Sequence, residues 1–219
     1  MQDDNKNVKV SQAVKNRLPR YYRYLRQLIS ENKLRISSLE LAELMNVTAS
    51  QIRQDLNCFG GFGQQGYGYN VKYLFGKISD ILGVNEGYTA VIVGAGHLGH
   101  ALAAASTFSN RGVTLIALFD VDPKVIGMEI SGLETYSMDE FEEFCSEHRV
   151  DIAVLTVPKE VAQEVGQRIS TAEIKGIWNF TGVELKYRED LPVQNVHLGD
   201  KLMTLCYDIK NTSEKKKKK

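Results

Sequence analysis

Apolar residues recur at helical spacing through the first part of the chain, and they predict three short helices. The first begins at Leu18-Pro19, because a first helical turn does not need the N–H that proline lacks, and it ends near Glu31. The second covers 39–45. The third covers 49–59 and has Thr48 as its N-cap. This succession is typical of a helix-turn-helix.

A glycine-rich segment, 60–69, directly follows the third helix. Its glycines alternate with aromatic residues around Gln64-Gln65, a pattern that predicts a tight β-hairpin with the two glutamines at its tip. A linking helix over 71–82 then leads to a domain boundary at 83–87. A hairpin placed directly after a helix-turn-helix predicts the wing of a winged-helix domain.

Beyond the boundary, apolar runs of strand length alternate with helical patterns, which predicts a doubly wound parallel sheet of the Rossmann type. The chain is therefore predicted to be an α/β protein with a winged helix-turn-helix in front. The predicted strands are 89–93, 113–119, 150–157 and 176–180, with helices at 137–148, 159–170 and 198–209. The predicted domains are a winged helix at 1–84, a Rossmann domain at 85–196, a C-terminal helix at 197–211 and a disordered lysine tail at 212–219.

Residues 94–99 have the spacing of a dinucleotide-binding fingerprint. Gly94 makes the tight turn, Gly96 lets the backbone approach a pyrophosphate, and Gly99 packs the helix on the strand. The loop residues assigned to the cofactor are Gly94, Ala95, Gly96, His97, Leu98 and Gly99. The His97 side chain could hydrogen-bond a phosphate, but capping of its own helix is the favoured interpretation.

An acid at the end of the second Rossmann strand decides which cofactor is expected. Asp120 lies 21 residues after Gly99, where it can hydrogen-bond the adenosine ribose hydroxyls and repel a 2′-phosphate. NAD(H) is therefore predicted, with Asp120 and Val121 at its adenosine end. The nicotinamide end is expected beyond the carboxyl ends of later strands, at Thr156, Val157, Pro158 and Asn179.

Charge is segregated along the chain, although the formal net charge is zero. Residues 1–84 hold 12 Lys/Arg against 7 Asp/Glu, whereas residues 85–213 hold 10 against 19. The run 6–26 has seven basic residues and no acidic residue. A basic front half on an acidic back half indicates that only the front half meets a polyanion.

Polar positions of the third helix suit base edges in a DNA major groove, and the arginines of the first helix suit phosphates. The DNA-binding residues assigned from the sequence are Lys15, Arg17, Arg20, Arg23, Thr48, Ser50, Gln51, Arg53, Gln54, Asn57, Gln64 and Gln65. The alternative is a small helical oligomerisation module whose polar face is merely solvated.

An enzyme is the competing interpretation, namely an NAD-dependent dehydrogenase with an N-terminal appendage. It is disfavoured because the chain has no room for a substrate domain and no histidine in a recognisable catalytic setting, so no catalytic residue is assigned. A structural or CoA-binding Rossmann module is a third interpretation, which Asp120 and the winged helix disfavour.

Metal, disulfide and membrane chemistry are not expected. Cys58, Cys145 and Cys206 stand far apart, without histidines at ligand spacing. No apolar run approaches the roughly 18 residues of a membrane span, and the polar N-terminus does not resemble a signal peptide. The chain is therefore expected to be soluble and cytoplasmic.

Several motifs resemble those of the Rex family of redox-sensing repressors, and the resemblance covers about 8–210. The motifs are Leu-Pro-Arg-Tyr-Tyr-Arg-Tyr-Leu at 18–25, Thr-Ala-Ser-Gln-Ile-Arg-Gln-Asp-Leu at 48–56, Phe-Gly-Gly-Phe-Gly at 59–63, the 94–99 loop, Phe-Asp-Val-Asp-Pro at 119–123, Leu-Thr-Val-Pro at 155–158 and Trp-Asn-Phe at 178–180. The resemblance implies a homodimer that binds a double-stranded inverted-repeat operator and releases it when NADH binds. It also implies that the helix at 198–209 is exchanged onto the partner subunit, between that subunit's two domains.

The resemblance extends to residues that relay the cofactor state between domains, though less completely. Arg26 matches an arginine that the family uses in this relay, and His197 stands where the family has an aspartate. Ala105 stands where an aromatic residue of the relay is often found. Gln54 replaces a common lysine, and Gln64-Gln65 replace frequent basic residues, which implies weaker phosphate contacts at the wing.

Overall fold

The structure is a computed structural model that describes residues 10–60, 63–64 and 67–217. Its contacts divide the chain into two compact units, the first ending at Glu86 and the second beginning at Gly87. Each unit has a hydrophobic core of its own. The division falls within the 83–87 segment that the sequence predicts as the domain boundary.

The N-terminal unit, as far as it is described, contains four helices and a small antiparallel sheet. The helices are α1 (Gln12–Ser30), α2 (Ser38–Met45), α3 (Ala49–Asn57) and α4 (Val71–Leu82). The strands are β1 (Arg35–Ile36), β2 (Gly63–Gln64) and β3 (Gly68–Asn70). Strand β3 pairs with both β1 and β2, so the predicted hairpin after α3 is part of a three-stranded wing.

Polar caps fix where the helices of the helix-turn-helix begin and end. Ser37 and Glu40 form a capping box at the start of α2, and Asn46 ends that helix in the left-handed region with φ of 50°. The Thr48 hydroxyl accepts a hydrogen bond from the Gln51 N–H at 3.1 Å, which makes Thr48 the N-cap of α3 as predicted. These caps set the turn between α2 and α3.

The predicted start of the first helix at Leu18-Pro19 is wrong. Helix α1 begins at Gln12 with Ser11 as its N-cap, and Pro19 lies inside the helix on its exposed side. Leu18 and Tyr21, on either side of the proline, are buried in the core. Burial of these side chains outweighs the one backbone hydrogen bond that proline cannot donate.

The C-terminal unit contains a seven-stranded sheet. Its strands are β4 (Tyr88–Val93), β5 (Val113–Asp120), β6 (Glu129–Ile130), β7 (Leu133–Ser137), β8 (Ile152–Leu155), β9 (Gly176–Asn179) and β10 (Val193–Asn195). The order in the sheet is β10-β9-β8-β4-β5-β7-β6, and every pair is parallel except β6–β7. This is the doubly wound sheet that the sequence predicts.

Both faces of the sheet are covered, because successive buried residues of β4 enter different cores. Val91 and Val93 pack in a cluster that includes Phe119 and Phe141, whereas Ile92 packs in a second cluster on the opposite face. The helices of this unit are α5 (His97–Ala104), α6 (Phe141–Glu147), α7 (Ala162–Ser170) and α8 (Leu198–Lys217).

The order of the strands places a crevice at the end of β4. The next strand along the chain, β5, lies on one side of β4, and β8 lies on the other side. At such a switch point the loops after the two central strands diverge and leave a ligand-sized crevice. The fingerprint loop, Asp120 and Thr156 therefore follow neighbouring strands at one edge of the sheet.

Two features of the C-terminal unit depart from prediction. Strands β6 and β10 were not predicted, because they are two and three residues long and carry no apolar run. The tail predicted at 212–219 begins inside α8, which continues to Lys217. Lysine is a good helix former, and positive charge is favourable at a helix C-terminus.

Helix α8 leaves its apolar face uncovered within the chain. Leu198, Leu202, Leu205 and Ile209 are between 53% and 66% exposed. Four large apolar side chains on one face of one helix form a surface that water solvates poorly. Such a surface is typical of a contact with another molecule.

Candidate cofactor site and nucleic-acid interface

Two glycines of the 94–99 loop are required by close backbone packing. Gly94 has φ of 105°, and a Cβ built on it would lie 2.9 Å from the carbonyl carbon of Thr156. A Cβ on Gly99 would lie 2.0 Å from the carbonyl oxygen of Gly94. Only glycine lets α5 and the end of β8 approach the loop this closely.

Gly96 is different, because the space around it is open. It is exposed, it is the N-cap of α5, and a Cβ on it would meet no heavy atom within 4 Å. The N-terminus of a helix offers unpaired N–H groups and a positive dipole end to an anion. A pyrophosphate fits this cradle, so the loop suits a dinucleotide.

Asp120 links the loop after β4 to the loop after β5 by hydrogen bonds. Its Oδ2 atom accepts a hydrogen bond from the Ala95 N–H at 2.6 Å, and its Oδ1 atom accepts from the Val121 and Asp122 N–H groups at 2.7 and 2.9 Å. The sequence did not predict these hydrogen bonds. The half-buried carboxylate still has accepting capacity for ribose hydroxyls, and that contact stays a prediction.

A cavity of about 880 Å³ lies beside the ends of β4, β5 and β8. Its size is suitable for a cofactor-sized ligand. The predicted residues that line it are Gly94, Ala95, Gly96, Leu98, Asp120, Val121, Thr156, Val157 and Pro158. Of the other predicted residues, Gly99 is buried beneath the loop, and His97 is exposed at the first position of α5.

The structure does not bring the Asn179 side chain to the cavity. Its side chain is 1% exposed, and its Nδ2 atom donates to the Val183 carbonyl and the Asn195 Oδ1 atom, both at 2.7 Å. Its Oδ1 atom accepts from the Thr181 hydroxyl at 2.8 Å. The amide is fully used inside the protein, and the next two residues, Phe180 and Thr181, line the cavity instead.

The sequence analysis missed part of the cavity wall. The additional lining residues are Val93, Phe119, Asp122, Val125, Met138, Lys159, Val161, Glu164, Val165, Phe180 and Thr181. Phe180 and Thr181 follow β9 as Thr156 follows β8, so the rule that parallel strands end at one edge could have found them. Met138 and Glu164 come from helical segments, where no local pattern marks them.

Helix α3 exposes a polar face of four residues, Ser50, Arg53, Gln54 and Asn57. The Arg53 guanidinium donates to the Ser38 and Ser50 hydroxyls at 3.0 and 3.2 Å. Gln51 is half-buried and donates to the Asp55 carboxylate at 2.8 Å. Amide and guanidinium groups on one exposed helix face suit base edges in a major groove.

The assignment of Arg17 and Arg20 to phosphate contacts conflicts with their positions. The Nε and Nη2 atoms of Arg17 lie 2.6 and 2.8 Å from the carboxylate oxygens of buried Asp55, and Arg20 donates to the Met45 carbonyl. Guanidinium groups held this way have fewer donors left for a phosphate. Lys15 and Arg23 of α1 are exposed, so they remain the candidates for phosphate contacts on this helix.

The wing carries one predicted contact residue within the described backbone. Gln64 lies in β2, where it pairs with Gly68 of β3. Gln65 lies outside the described residues.

The residues assigned to the relay belong to different units. Arg26 is exposed on α1. His197 directly precedes α8, and its Nε2 atom lies 2.7 Å from Oε1 of Glu184. The other Glu184 oxygen accepts from Asn195 Nδ2 at 2.8 Å. Because Asn195 also bonds Asn179, a chain of side-chain hydrogen bonds runs from the cavity edge to the start of α8.

Two family models match the chain, one in each unit. Residues 9–57 match the model described as "Putative DNA-binding protein N-terminus". Residues 85–183 match the model described as "CoA binding domain". The first description agrees with a helix-turn-helix, and the second agrees with a nucleotide-binding sheet.

Relatives match almost the whole chain. The redox-sensing transcriptional repressor Rex of Clostridium botulinum (strain Alaska E43 / Type E3) is 49% identical over 207 residues, which cover 94% of this chain and 98% of the relative. That of Thermoanaerobacter pseudethanolicus (strain ATCC 33223 / 39E) is 47% identical over 205 residues, covering 94% and 92%. The chain belongs to the Rex family of redox-sensing transcriptional repressors.

Solved structures of RSP, a Rex-family repressor, match the fold with a TM-score of 0.88. RSP in complex with beta-NAD+ and operator DNA is 47% identical and covers 95% of this chain and 96% of its own. RSP in complex with beta-NADH is 43% identical, covering 96% and 98%. The predicted fold class is confirmed, and these Rex relatives give no support to the dehydrogenase interpretation.

Within residues 10–60, 63–64 and 67–217, no group of three or more His, Cys, Asp or Glu side chains could hold a metal ion. No helix in the same part of the chain is both long and apolar enough to cross a membrane.

The open cradle at Gly96 gives a test of the cofactor site. In Gly96→Ala the new methyl group has room in the protein but occupies space that a pyrophosphate needs. We expect NADH affinity, measured by calorimetry, to fall at least about tenfold, because the phosphates lose their closest backbone contacts. The melting temperature should stay within about 2 °C of the wild type.

Gly76→Ala is the matched control, because a Cβ on Gly76 of α4 also meets no heavy atom within 4 Å. That variant should bind NADH as the wild type does. Equal NADH affinity in Gly96→Ala and Gly76→Ala would show that the pyrophosphate does not bind against this loop.

Proposed function

We propose that the protein is a transcriptional repressor that senses the NADH/NAD+ ratio, binding operator DNA as a homodimer and releasing it when NADH binds. The observation that carries the proposal is the combination of an open dinucleotide cradle at Gly96 with the exposed polar face of α3 in one chain. A dinucleotide site suits a sensor of the cofactor, and a polar helix face suits DNA. Because operator DNA and the NAD(H) pool of a bacterium are cytoplasmic, we place the protein in the cytoplasm.

The cofactor is NAD(H) rather than NADP(H). Asp120 lies at the cavity wall, and its carboxylate accepts hydrogen bonds from three backbone N–H groups that hold it in place. A 2′-phosphate brought beside this carboxylate would meet like charge at short range. The ribose hydroxyls of NADH, in contrast, can donate to it.

The proposed function is tested by fluorescence anisotropy of a labelled A·T-rich inverted-repeat duplex at fixed salt. NADH should raise the Kd of the duplex about 5- to 150-fold, the range of ordinary allosteric coupling. NAD+ should raise it less, and NADPH should leave it unchanged at equal concentration. A duplex affinity that does not respond to NADH would contradict the sensor.

The apolar face of α8 is proposed to be the dimer contact, covered by the partner subunit between its two domains. Its four large side chains are exposed within one chain, and their burial would give favourable free energy of association. A helix at this position can also respond to cofactor binding. A chain of hydrogen bonds runs from Thr181, which lines the cavity, to His197, which directly precedes α8.

Two truncations distinguish the role of the apolar face of α8 from that of the lysine-rich C-terminal residues. Deletion of residues 196–219 should weaken the dimer in analytical ultracentrifugation and uncouple NADH binding from DNA release, because the apolar face is lost. Deletion of 213–219 alone should change neither property. A protein truncated at 196 that stays dimeric and still drops its duplex on NADH addition would exclude this role for α8.

The relay is proposed to pass through Glu184, which joins His197 to Asn195. Glu184→Gln weakens the charge-assisted bond to His197 while keeping its shape, so NADH and duplex affinities measured separately should stay near wild type. The NADH effect on duplex affinity should fall about 2- to 30-fold. Glu189→Gln, an exposed carboxylate of the same segment, is the control. If the two variants respond to NADH alike, the relay does not use Glu184.

A further inference from the structure

Helix α3 carries a buried acid one turn from its half-buried glutamine. Asp55 is 1% exposed, although the helix that holds it is the proposed DNA-reading element. Its Oδ2 atom accepts from Arg17 Nε at 2.6 Å and from the Tyr21 hydroxyl at 3.0 Å. Its Oδ1 atom accepts from Arg17 Nη2 and from Gln51 Nε2, both at 2.8 Å.

The four contacts keep the Asp55 carboxylate ionised in the interior. Burial by itself would raise the pKa of this carboxyl, but the hydrogen bonds from Arg17, Gln51 and Tyr21 outweigh burial and hold the pKa below its ordinary value. An ionised carboxylate has only acceptor atoms. Whatever side chain contacts it must therefore donate a hydrogen.

This requirement fixes which way the Gln51 side-chain amide faces. Only its NH2 group can meet Asp55, so its carbonyl oxygen, Oε1, cannot turn toward the carboxylate. A glutamine without such an anchor rotates its amide freely and can offer a base either a donor or an acceptor. Gln51 is half-buried in the first turn of α3, between the exposed residue Ser50 and the second turn of the same polar face, and it follows the cap residue Thr48 closely.

We propose that Asp55 is a positioning residue that makes Gln51 a reader of exocyclic amino groups in the major groove. Resting on the proposed DNA-binding function, this assigns Gln51 Oε1 to the N6 amino group of adenine, with the N4 amino group of cytosine as the weaker choice. Guanine and thymine have no amino group in the major groove, because the exocyclic atoms they present there, O6 and O4, are acceptors. Adenine is preferred because its N7 atom can also accept the second Nε2 hydrogen.

Arg17 has a corresponding role. It forms a bidentate ion pair with Asp55, so it acts on DNA through the carboxylate and the Gln51 amide rather than through a phosphate. This places the origin of one base preference in α1, a helix that the sequence analysis assigns only to phosphates. Arg23, exposed on the same helix, has no contact with Asp55 among the described hydrogen bonds and serves as the comparison.

The first experiment selects binding sequences from inverted-repeat duplexes randomised across both half-sites, using the full-length chain. With the wild type, one position per half-site should be adenine, and Gln51→Ala should lose the preference at that position alone. In Asp55→Asn the new amide can donate or accept, so the Gln51 amide is released and guanine should enter the same position. Arg23→Ala should keep every preference at a lower overall affinity.

The second experiment needs no variant of Asp55, so it holds even if that variant folds poorly. The adenine at the Gln51-dependent position is replaced by purine, which lacks the exocyclic amino group. Wild-type affinity should fall about 3- to 10-fold, as expected for one lost hydrogen bond, and Gln51→Ala should show no further loss.

The outcomes separate this inference from the proposed function. Guanine or thymine at the Gln51-dependent position, an unchanged purine duplex, or unchanged preferences in a folded Asp55→Asn would overturn the role of Asp55 while leaving a DNA-binding repressor. A wild-type chain that enriches no sequence at all would overturn the proposed function and this inference together.

Discussion

A close approach of backbone to backbone, at the end of β4, is the constraint on which the sensor site depends. The carbonyl oxygen of Gly94 lies where a Cβ of Gly99 would be 2.0 Å away, and the Thr156 hydroxyl donates to the same oxygen at 2.8 Å. This packing brings together the loop after β4, the first turn of α5 and the end of β8. Because these elements are fixed by glycine contacts, the space above Gly96 is left open for a phosphate group.

A buried carboxylate has the corresponding structural role in the N-terminal unit. Asp55 joins α1 to α3 through Arg17 and Tyr21, and it also holds the amide of Gln51. A carboxylate in the interior is stable only while its partners remain, so α3 is tied to α1 at a fixed rotation. The site in each unit is therefore built by a contact that cannot be loosened without changing the face offered to the ligand.

The sequence predicted what depends on local pattern. Hydrophobic periodicity located α3, α4, β4 and β5, and the spacing of glycines located the cradle. Each of these signals is contained in a short stretch of consecutive residues. The predicted helix start at Pro19 failed because burial of Leu18 and Tyr21, a tertiary effect, outweighs the local signal. Strand β10 was missed because its pairing with β9 is tertiary as well.

Assignments that depend on which partner a polar side chain finds were the least predictable. Arg17 and Asn179 have residue types suited to phosphate and cofactor, but the fold brings Asp55 to one and Asn195 to the other.

The most direct measurement of the central claim is the affinity for NADH, by calorimetry, with and without saturating operator duplex. Since linkage is reciprocal, the duplex should weaken NADH binding by the same factor by which NADH weakens duplex binding. An NADH affinity that saturating operator leaves unchanged would contradict a shared conformational equilibrium.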